Sequence, residues 1–385
     1  MTLDKRRVLK RVYVKGFKSF REIDIELRPI NILIGANGAG KSNFISLFKL
    51  LRRMARQELQ DYVVEAGGVS ALLHHGPKKT PEINVELEFT EGNISNFYQC
   101  NLTYANGGLL ISQERVGFQD RGANYTKPHW KPVSTEKHRE SLLRFWANTY
   151  RRAAQYVYRD FYAWELYHFH DTSATARIKQ MVDIHQNDRL WWDGGNLAAY
   201  LYYLQRQHPG IYEKIVFAIS LVAPFLVDFH FRPNESANPP VLRLEWRSRG
   251  SDMIYGPESL SDGTLRFMCL ATLFLQPPEK QPSIILIDEP ELGLHPFALH
   301  LLAEMVKSTA HYKQIIMTTQ SPYLINYFEP EDILVVDTNG EHSTVRRLDP
   351  EPLREWLEDY TLGELWNKNL LGGRPEYFPQ EDLPF

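Results

Sequence analysis

Cysteine is almost missing from this chain of 385 residues: Cys100 and Cys269 stand far apart and alone. Two isolated thiols exclude a disulfide framework and a cysteine-based zinc cluster. No run of about eighteen apolar residues exists to span a bilayer, and the opening Met1-Thr2-Leu3-Asp4-Lys5-Arg6-Arg7 lacks the apolar region of a signal segment. A cytoplasmic, non-membrane protein is therefore expected. Charge of one sign is scarce too, with 44 Lys and Arg against 47 Asp and Glu and a formal net charge of −3. Global electrostatics then do not drive nucleic-acid binding, so any such contact has to be a local patch. Internal repeats, low-complexity tracts and sustained heptads are all absent, which rules out long coiled-coil arms. The length still allows two lobes with substantial cores.

What the chain does contain starts with Gly35-Ala36-Asn37-Gly38-Ala39-Gly40-Lys41-Ser42, a G-x-x-x-x-G-K-[ST] string. Before it, Ile30-Asn31-Ile32-Leu33-Ile34 is short enough to be a buried strand. After it, Asn43 to Leu51 repeats apolar residues at helical spacing. Strand, glycine loop and helix in that order make a phosphate cradle: the backbone curls so that successive N–H groups face anionic oxygens. The start of the helix adds partial positive charge. Lys41 is expected to reach the β- and γ-phosphates of ATP, and the Ser42 hydroxyl to ligate Mg²⁺. The expected nucleotide-binding set is Gly35, Asn37, Gly38, Gly40, Lys41, Ser42 and Asn43.

A second apolar run, Ser283-Ile284-Ile285-Leu286-Ile287, ends in Asp288-Glu289-Pro290. Strands buried in a parallel sheet read as continuous apolar runs, and ligands gather at their carboxyl ends. Asp288 is expected to hold the metal through its water shell. Glu289 is the candidate for polarising the attacking water. By itself, Asp-Glu after a strand is also an ordinary solvated turn.

Gly35–Asn43, Leu260-Ser261-Asp262-Gly263-Thr264, Ile284–Pro290, Glu291-Leu292-Gly293-Leu294-His295-Pro296 and Thr318-Thr319-Gln320-Ser321-Pro322 follow one another in the order found in ABC-type ATPases, which the chain resembles. Within that class it resembles the RecF/SMC/OLD group, in which Val14-Lys15-Gly16-Phe17-Lys18-Ser19-Phe20 is similar to the opening strand pair of SMC-like heads. Tyr167-His168-Phe169-His170-Asp171-Thr172-Ser173 and Asp193-Gly194-Gly195-Asn196-Leu197-Ala198-Ala199 are similar to segments of small stand-alone bacterial ATPases of this group, often discussed as nuclease partners or phage-defence components. The resemblance implies an ATP-dependent homodimer. Ser261 and the Gly263 N–H would contact the γ-phosphate held by the other protomer, with Glu291 to His295 crossing the interface. Ser-Asp before an apolar helix is equally an ordinary N-cap. Gln320 departs from the histidine of transporter-type members; it can hydrogen-bond the phosphate or the water but carries no proton charge. Slow, signal-like turnover is the expected consequence. For the glutamine that links metal to helical lobe, Gln113 and Gln119 are the candidates.

The expected fold is α/β, an ABC-ATPase head with a P-loop mixed sheet flanked by helices. Residues 1–120 plus 240–348 form a discontinuous head, 121–239 a mainly helical insert and 349–385 a C-terminal extension. Ile83 to Phe89 alternates as a half-buried strand, Asn106-Gly107-Gly108 reads as a hairpin turn, and the tail from Gly372 looks loose. In the insert, Arg139, Arg144, Arg151, Arg152 and Arg159 interleave with Phe145, Trp146, Tyr150, Tyr156, Tyr158 and Tyr162. Such a mixture can grip single strands, but aromatics filling a helical core are the favoured reading. His168 and His170 read as structural rather than as metal ligands, and His74-His75 as turn residues.

Three functions compete. The leading one is a Mg²⁺-dependent ATPase whose dimer closure controls a nuclease or DNA-linked partner in phage defence. A RecF-like DNA-repair ATPase binding DNA directly is the alternative, and a transporter ATPase subunit is disfavoured by the large insert between Lys41 and Ser261. The stretch after Pro322 carries no evident acidic constellation for a Toprim nuclease, so a Toprim-like or other effector is expected on a separate polypeptide.

Overall fold

The computed structural model describes residues 7–105, 107–123, 127–134, 136–149 and 152–373. Two six-stranded sheets dominate it. Their strands, in chain order, are β1 (Val8–Phe17), β2 (Phe20–Glu26), β3 (Ile30–Ile34), β4 (Glu82–Glu91), β5 (Ile94–Ala105) and β6 (Gly108–Asp120). There follow β7 (His129–Ser134), β8 (Glu165–Tyr167), β9 (Ile284–Asp288), β10 (Gln314–Thr318), β11 (Ile333–Thr338) and β12 (Ser343–Arg347). The main helices are α1 (Lys41–Ala55), α2 (Arg152–Ala163), α3 (Leu197–Gln207), α4 (Pro209–Val222), α5 (Asp262–Leu275) and α6 (Pro296–Ala310).

The outer sheet is an antiparallel meander, β2-β1-β4-β5-β6-β7. Its β4 shows the alternating burial expected of a strand wet on one face. Ala105 pairs with Gly108 across the β5–β6 turn, and Gly107 takes a left-handed φ of 76° there; Asn106 lies outside the described residues. The core sheet runs β12-β11-β3-β10-β9-β8, with every pairing parallel except β11 with β12. Within this sheet β9 pairs with β10, the next strand in the chain, whereas β3 and β8 join from remote segments. The α/β head expected from the sequence is present.

Alternation along the core strands divides the interior in two, because successive side chains leave a strand on opposite faces. Ile30, Ile32, Ile285, Ile287, Ile315, Met317, Ile333 and Val335 face one core with α3, α4, α5 and α6. Leu33, Ile284, Leu286, Ile316, Leu334 and Val336 face the other, shared with α1, α2 and the outer sheet. Segment 121–239 contributes to both sheets through β7 and β8 and to both cores through α2 and α3. Beyond residue 348, Leu362, Leu365, Trp366 and Leu371 are buried in the first core. Gly372 and Gly373 are packed rather than loose: the Gly373 N–H donates to Asp337 at 3.2 Å, and a Cβ there would lie 3.2 Å from the Gly35 Cα. The tail from Arg374 lies outside the described residues.

Aromatic side chains of the α2 region divide between the core and the surface. Phe161 and Trp164 are fully buried, with the Trp164 ring 5.1 Å from Phe48, 4.8 Å from Phe161 and 6.3 Å from Phe89. Phe145, Tyr156 and Tyr162 are exposed, with Arg7 over Tyr156 and Arg56 over Tyr162. Arg151 and Tyr150 lie outside the described residues. Trp164 thus ties α1, the outer sheet and α2 together. Trp164→Ala should cost about 3–5 kcal/mol of stability, read as a lowered denaturant midpoint at unchanged slope.

Candidate functional site

Parallel pairing aims the carboxyl ends of β3, β8, β9, β10 and β11 the same way, so the segments that follow them meet along one edge. The glycine loop follows β3. Gly35 adopts a φ of 154°, and a Cβ there would lie 2.2 Å from the Val336 carbonyl oxygen. Gly40 adopts a φ of 120°, where a Cβ would meet the Ser343 and Ser19 hydroxyls at 2.6 and 2.9 Å. Both loop ends therefore demand glycine, while Asn37 and Gly38 form the exposed side.

Lys41 opens α1 and is only 6% exposed. Its ammonium folds into the loop, donating to the Gly35 and Ala36 carbonyls at 2.7 and 3.1 Å. Burial pulls its pKa down, opposed by the charges of Glu289, Asp288 and Glu291. Gly40 caps α1 without any side-chain hydrogen bond, so no side chain competes for the first helical N–H groups. The Ser42 hydroxyl lies on the exposed side of this turn. Asn43 turns away, its amide donating to the Ser19 hydroxyl at 2.8 Å.

Two strands away, Asp288 accepts a hydrogen bond from the Thr318 hydroxyl. Glu289 sits in the left-handed region with a φ of 41°, a strained state for a residue with a Cβ. Its N–H is held by the Thr318 hydroxyl at 3.1 Å and the Thr318 carbonyl at 3.2 Å. The Gln320 side-chain amide donates to the Glu289 carboxylate, and the Gln320 backbone N–H to Glu291 at 2.8 Å. Glu291 is buried; desolvation raises its pKa against the hydrogen bond from Gln320, and its Oε2 has no hydrogen-bond partner. A carboxylate trio thus faces a desolvated ammonium.

Ser261 caps α5: its hydroxyl accepts from the Thr264 N–H at 3.2 Å. Ser261 and Asp262 are exposed, and a Cβ on Gly263 would lie 2.2 Å from the Gly293 carbonyl oxygen. Hence the start of α5 and the loop Glu291–His295 form one surface, on which Leu292 and Phe297 are also exposed. Gln113 and Gln119 lie on β6 of the outer sheet, Gln113 accepting from Asn101 at 3.4 Å. The residue that reaches Asp288 from the neighbouring strand is instead His170, just past β8, with Nε2 3.1 Å from the Asp288 carbonyl. The His168 and His170 rings are 3.9 Å apart, and among the described residues no group of three or more His, Cys, Asp or Glu side chains converges on a metal position.

Sequence reading missed Arg266, placed Thr318 within a motif without a role of its own, read His170 as structural without its partners, and gave Glu291 no chemistry of its own. A hydroxyl at the end of β10 beside an acidic strand end was the available signal for Thr318; Arg266 sat inside an apolar helix pattern. The donor set fits a nucleoside triphosphate with a hard cation: a buried ammonium, a helix start without a side-chain cap, the Ser42 hydroxyl and the Asp288 carboxylate. Gly40→Ala should preserve the fold and, by straining the loop about 1–3 kcal/mol, weaken nucleotide affinity; fluorescent-nucleotide titration beside a thermal melt checks it.

A family described as "AAA domain, putative AbiEii toxin, Type IV TA system" matches residues 122–326, and one described as "AAA ATPase domain" matches residues 8–185. The chain is 27% identical over 164 residues to "Structural maintenance of chromosomes protein 3" of Saccharomyces cerevisiae. That match covers 35% of this chain and 13% of the yeast protein, so the chain spans only a small part of this relative. Among solved structures, the Smc head bound to the C-winged helix domain of ScpA aligns with a TM-score of 0.59 at 17% identity, covering 90% of this chain and 99% of that one. The Smc head with an extended coiled coil, bound to the C-terminal domain of ScpA from Pyrococcus furiosus, aligns at 0.57 and 16%, covering 92% and 99%. These likenesses establish the SMC-type head fold. No helix among the described residues is long and apolar enough to cross a membrane.

Proposed function

The chain belongs to the AAA-domain ATPase family and has an SMC-type head fold, and we propose that it is a switch: two copies close head to tail around Mg²⁺–ATP, and closure controls a separate nuclease or DNA-linked partner in phage defence. The observation that carries the chemistry is the junction of Lys41, Asp288, Glu289 and Gln320 at the ends of parallel strands. Lys41 and the first N–H groups of α1 bind the β- and γ-phosphate oxygens. Ser42 and Asp288 would hold Mg²⁺, which when bound would neutralise phosphate charge. Glu289 takes the proton of the attacking water. The water oxygen bonds to the γ-phosphorus as the bridge to the β-phosphate breaks, giving ADP and phosphate. Gln320 steadies the Glu289 carboxylate and offers a neutral donor, consistent with slow turnover.

Support for closure between copies comes from the exposed start of α5, an anion-seeking helix terminus, joined to the exposed Leu292 and Phe297. Ser261 and the Gly263 N–H would engage the partner's γ-phosphate. The matched family's description, which names a toxin of a toxin–antitoxin system, supports a setting in which a second component is controlled. A second reading, autonomous DNA binding of RecF type, draws on exposed Arg144, Arg152, Phe145, Tyr156 and Tyr162.

Lys41→Ala should weaken nucleotide binding. Glu289→Gln should bind ATP, hydrolyse it on the order of 10²–10⁴-fold more slowly, and accumulate dimer in light scattering. A Glu289→Gln chain that stays monomeric at saturating Mg²⁺–ATP rejects closure between copies. For the coupling, the native complex should retain a nuclease or other effector polypeptide while the isolated chain ignores duplex DNA. Tight ATP-dependent duplex binding that Arg152→Glu abolishes would favour the RecF-type reading instead.

A further inference from the structure

Glu289 holds a left-handed backbone conformation that a glutamate does not choose by itself. Its N–H is secured from β10 by Thr318, but the carbonyl side of the same turn needs a separate hold. That hold comes from His170, beside a longer hydrogen bond of 3.4 Å from the Leu292 N–H to the Glu289 carbonyl. The His170 Nε2 lies 3.1 Å from the Asp288 carbonyl oxygen and 3.3 Å from that of Glu289. Carbonyls only accept hydrogen bonds, so Nε2 carries the hydrogen and bridges both peptide units. The imidazole therefore braces the two residues whose carboxylates carry the proposed chemistry, from the backbone side.

His170 is itself braced. Arg266, on the first turns of α5, donates from Nη2 to the His170 carbonyl at 3.0 Å and from Nη1 to the Leu292 carbonyl at 2.9 Å. Its Nε is buried without a hydrogen-bond partner. One guanidinium thus joins three segments: the helix that begins at Ser261, the loop Glu291–His295 and the strand end bearing His170. The fit leaves little slack, since a Cβ on Gly293 would lie 2.8 Å from Arg266 Nη1 and one on Gly263 would lie 2.2 Å from the Gly293 carbonyl oxygen. Planar, forked donors of this kind transmit position well, because two hydrogen bonds fix the orientation of the group.

We propose that His170 and Arg266 are a positioning pair that couples the start of α5 to the aim of the Glu289 carboxylate. This rests on the dimeric ATPase reading. A shift of α5 on engaging the partner's phosphate moves Arg266, and Arg266 moves both the Leu292 loop and the brace under Asp288–Glu289. Each copy thereby registers contact with its partner's nucleotide at its own hydrolytic carboxylate. His170 and Arg266 act through the turn, by hydrogen bonds to main-chain carbonyls.

Steady-state ATPase kinetics and thermal melts of the full chain test the pair. His170→Ala should lower kcat roughly 10–100-fold, as loss of a supporting hydrogen bond behind an active group does, with KM for ATP unchanged because the glycine loop is intact. His170→Gln retains an N–H that can reach the same carbonyls and should recover most of the lost rate. Arg266→Met keeps the bulk without the fork and should lower kcat while flattening the sigmoidal dependence on ATP. Should His170→Ala melt early, the Gln and Met variants read the same quantities in a folded chain. Wild-type kcat in His170→Ala, or no rescue by glutamine at an unchanged melting temperature, overturns the pair while Glu289-dependent hydrolysis leaves the ATPase reading intact. Absence of Glu289-dependent hydrolysis in the wild type overturns both.

Discussion

Parallel pairing of β3, β10, β9 and β8 is the constraint on which the rest of this structure depends. Four short strands from distant parts of the chain lie in register, so their carboxyl ends open on one edge and whatever follows each strand arrives there. The glycine loop follows β3, Gln320 follows β10, Asp288 and Glu289 close β9, and His170 follows β8. The same alternation that keeps these strands dry on both faces sorts their side chains into two cores. Site and core are consequences of one pairing pattern.

Within that frame the site is held by backbone more than by side-chain charge. Left-handed glycines at both ends of the loop approach Val336 and Ser343 too closely for a Cβ. Glu289 is forced into a similar region by hydrogen bonds from neighbouring strands. Strain of this kind persists only where the surroundings over-determine it, and Thr318 on one side and His170 on the other supply that excess. Arg266 extends the same network to the exposed start of α5, linking the inner edge of the sheet to the outer surface.

Legibility in the sequence followed the range of the interaction. Ile30 to Ile34, the glycine loop and α1 are contiguous, so pattern, turn chemistry and helix period could be read together. Ile284 to Glu289 and the β4 alternation were readable for the same reason. By contrast β8 is three residues long, and nothing local announces a strand in Glu165–Tyr167. Without it His168 and His170 read as ordinary structural histidines. Gln113 and Gln119 were considered for a role at the metal because of their residue type; β6 carries them in the outer sheet. Glycines at 372 and 373 suggested a loose tail, yet their missing side chains permit close packing beside Gly35.

The chain by itself determined the local forms: a strand that must be buried, a loop that only glycine can turn, a helix start facing that loop and an acidic strand end. These depend on dihedral freedom and on apolar periodicity over about ten residues, which sequence carries directly. Only the tertiary structure decided which groups meet. His170 reaches Asp288 because a three-residue strand docks against β9, and Arg266 reaches His170 because α5 packs across that edge. Such contacts are set by the burial of whole faces and by register between remote segments, and no local pattern encodes them.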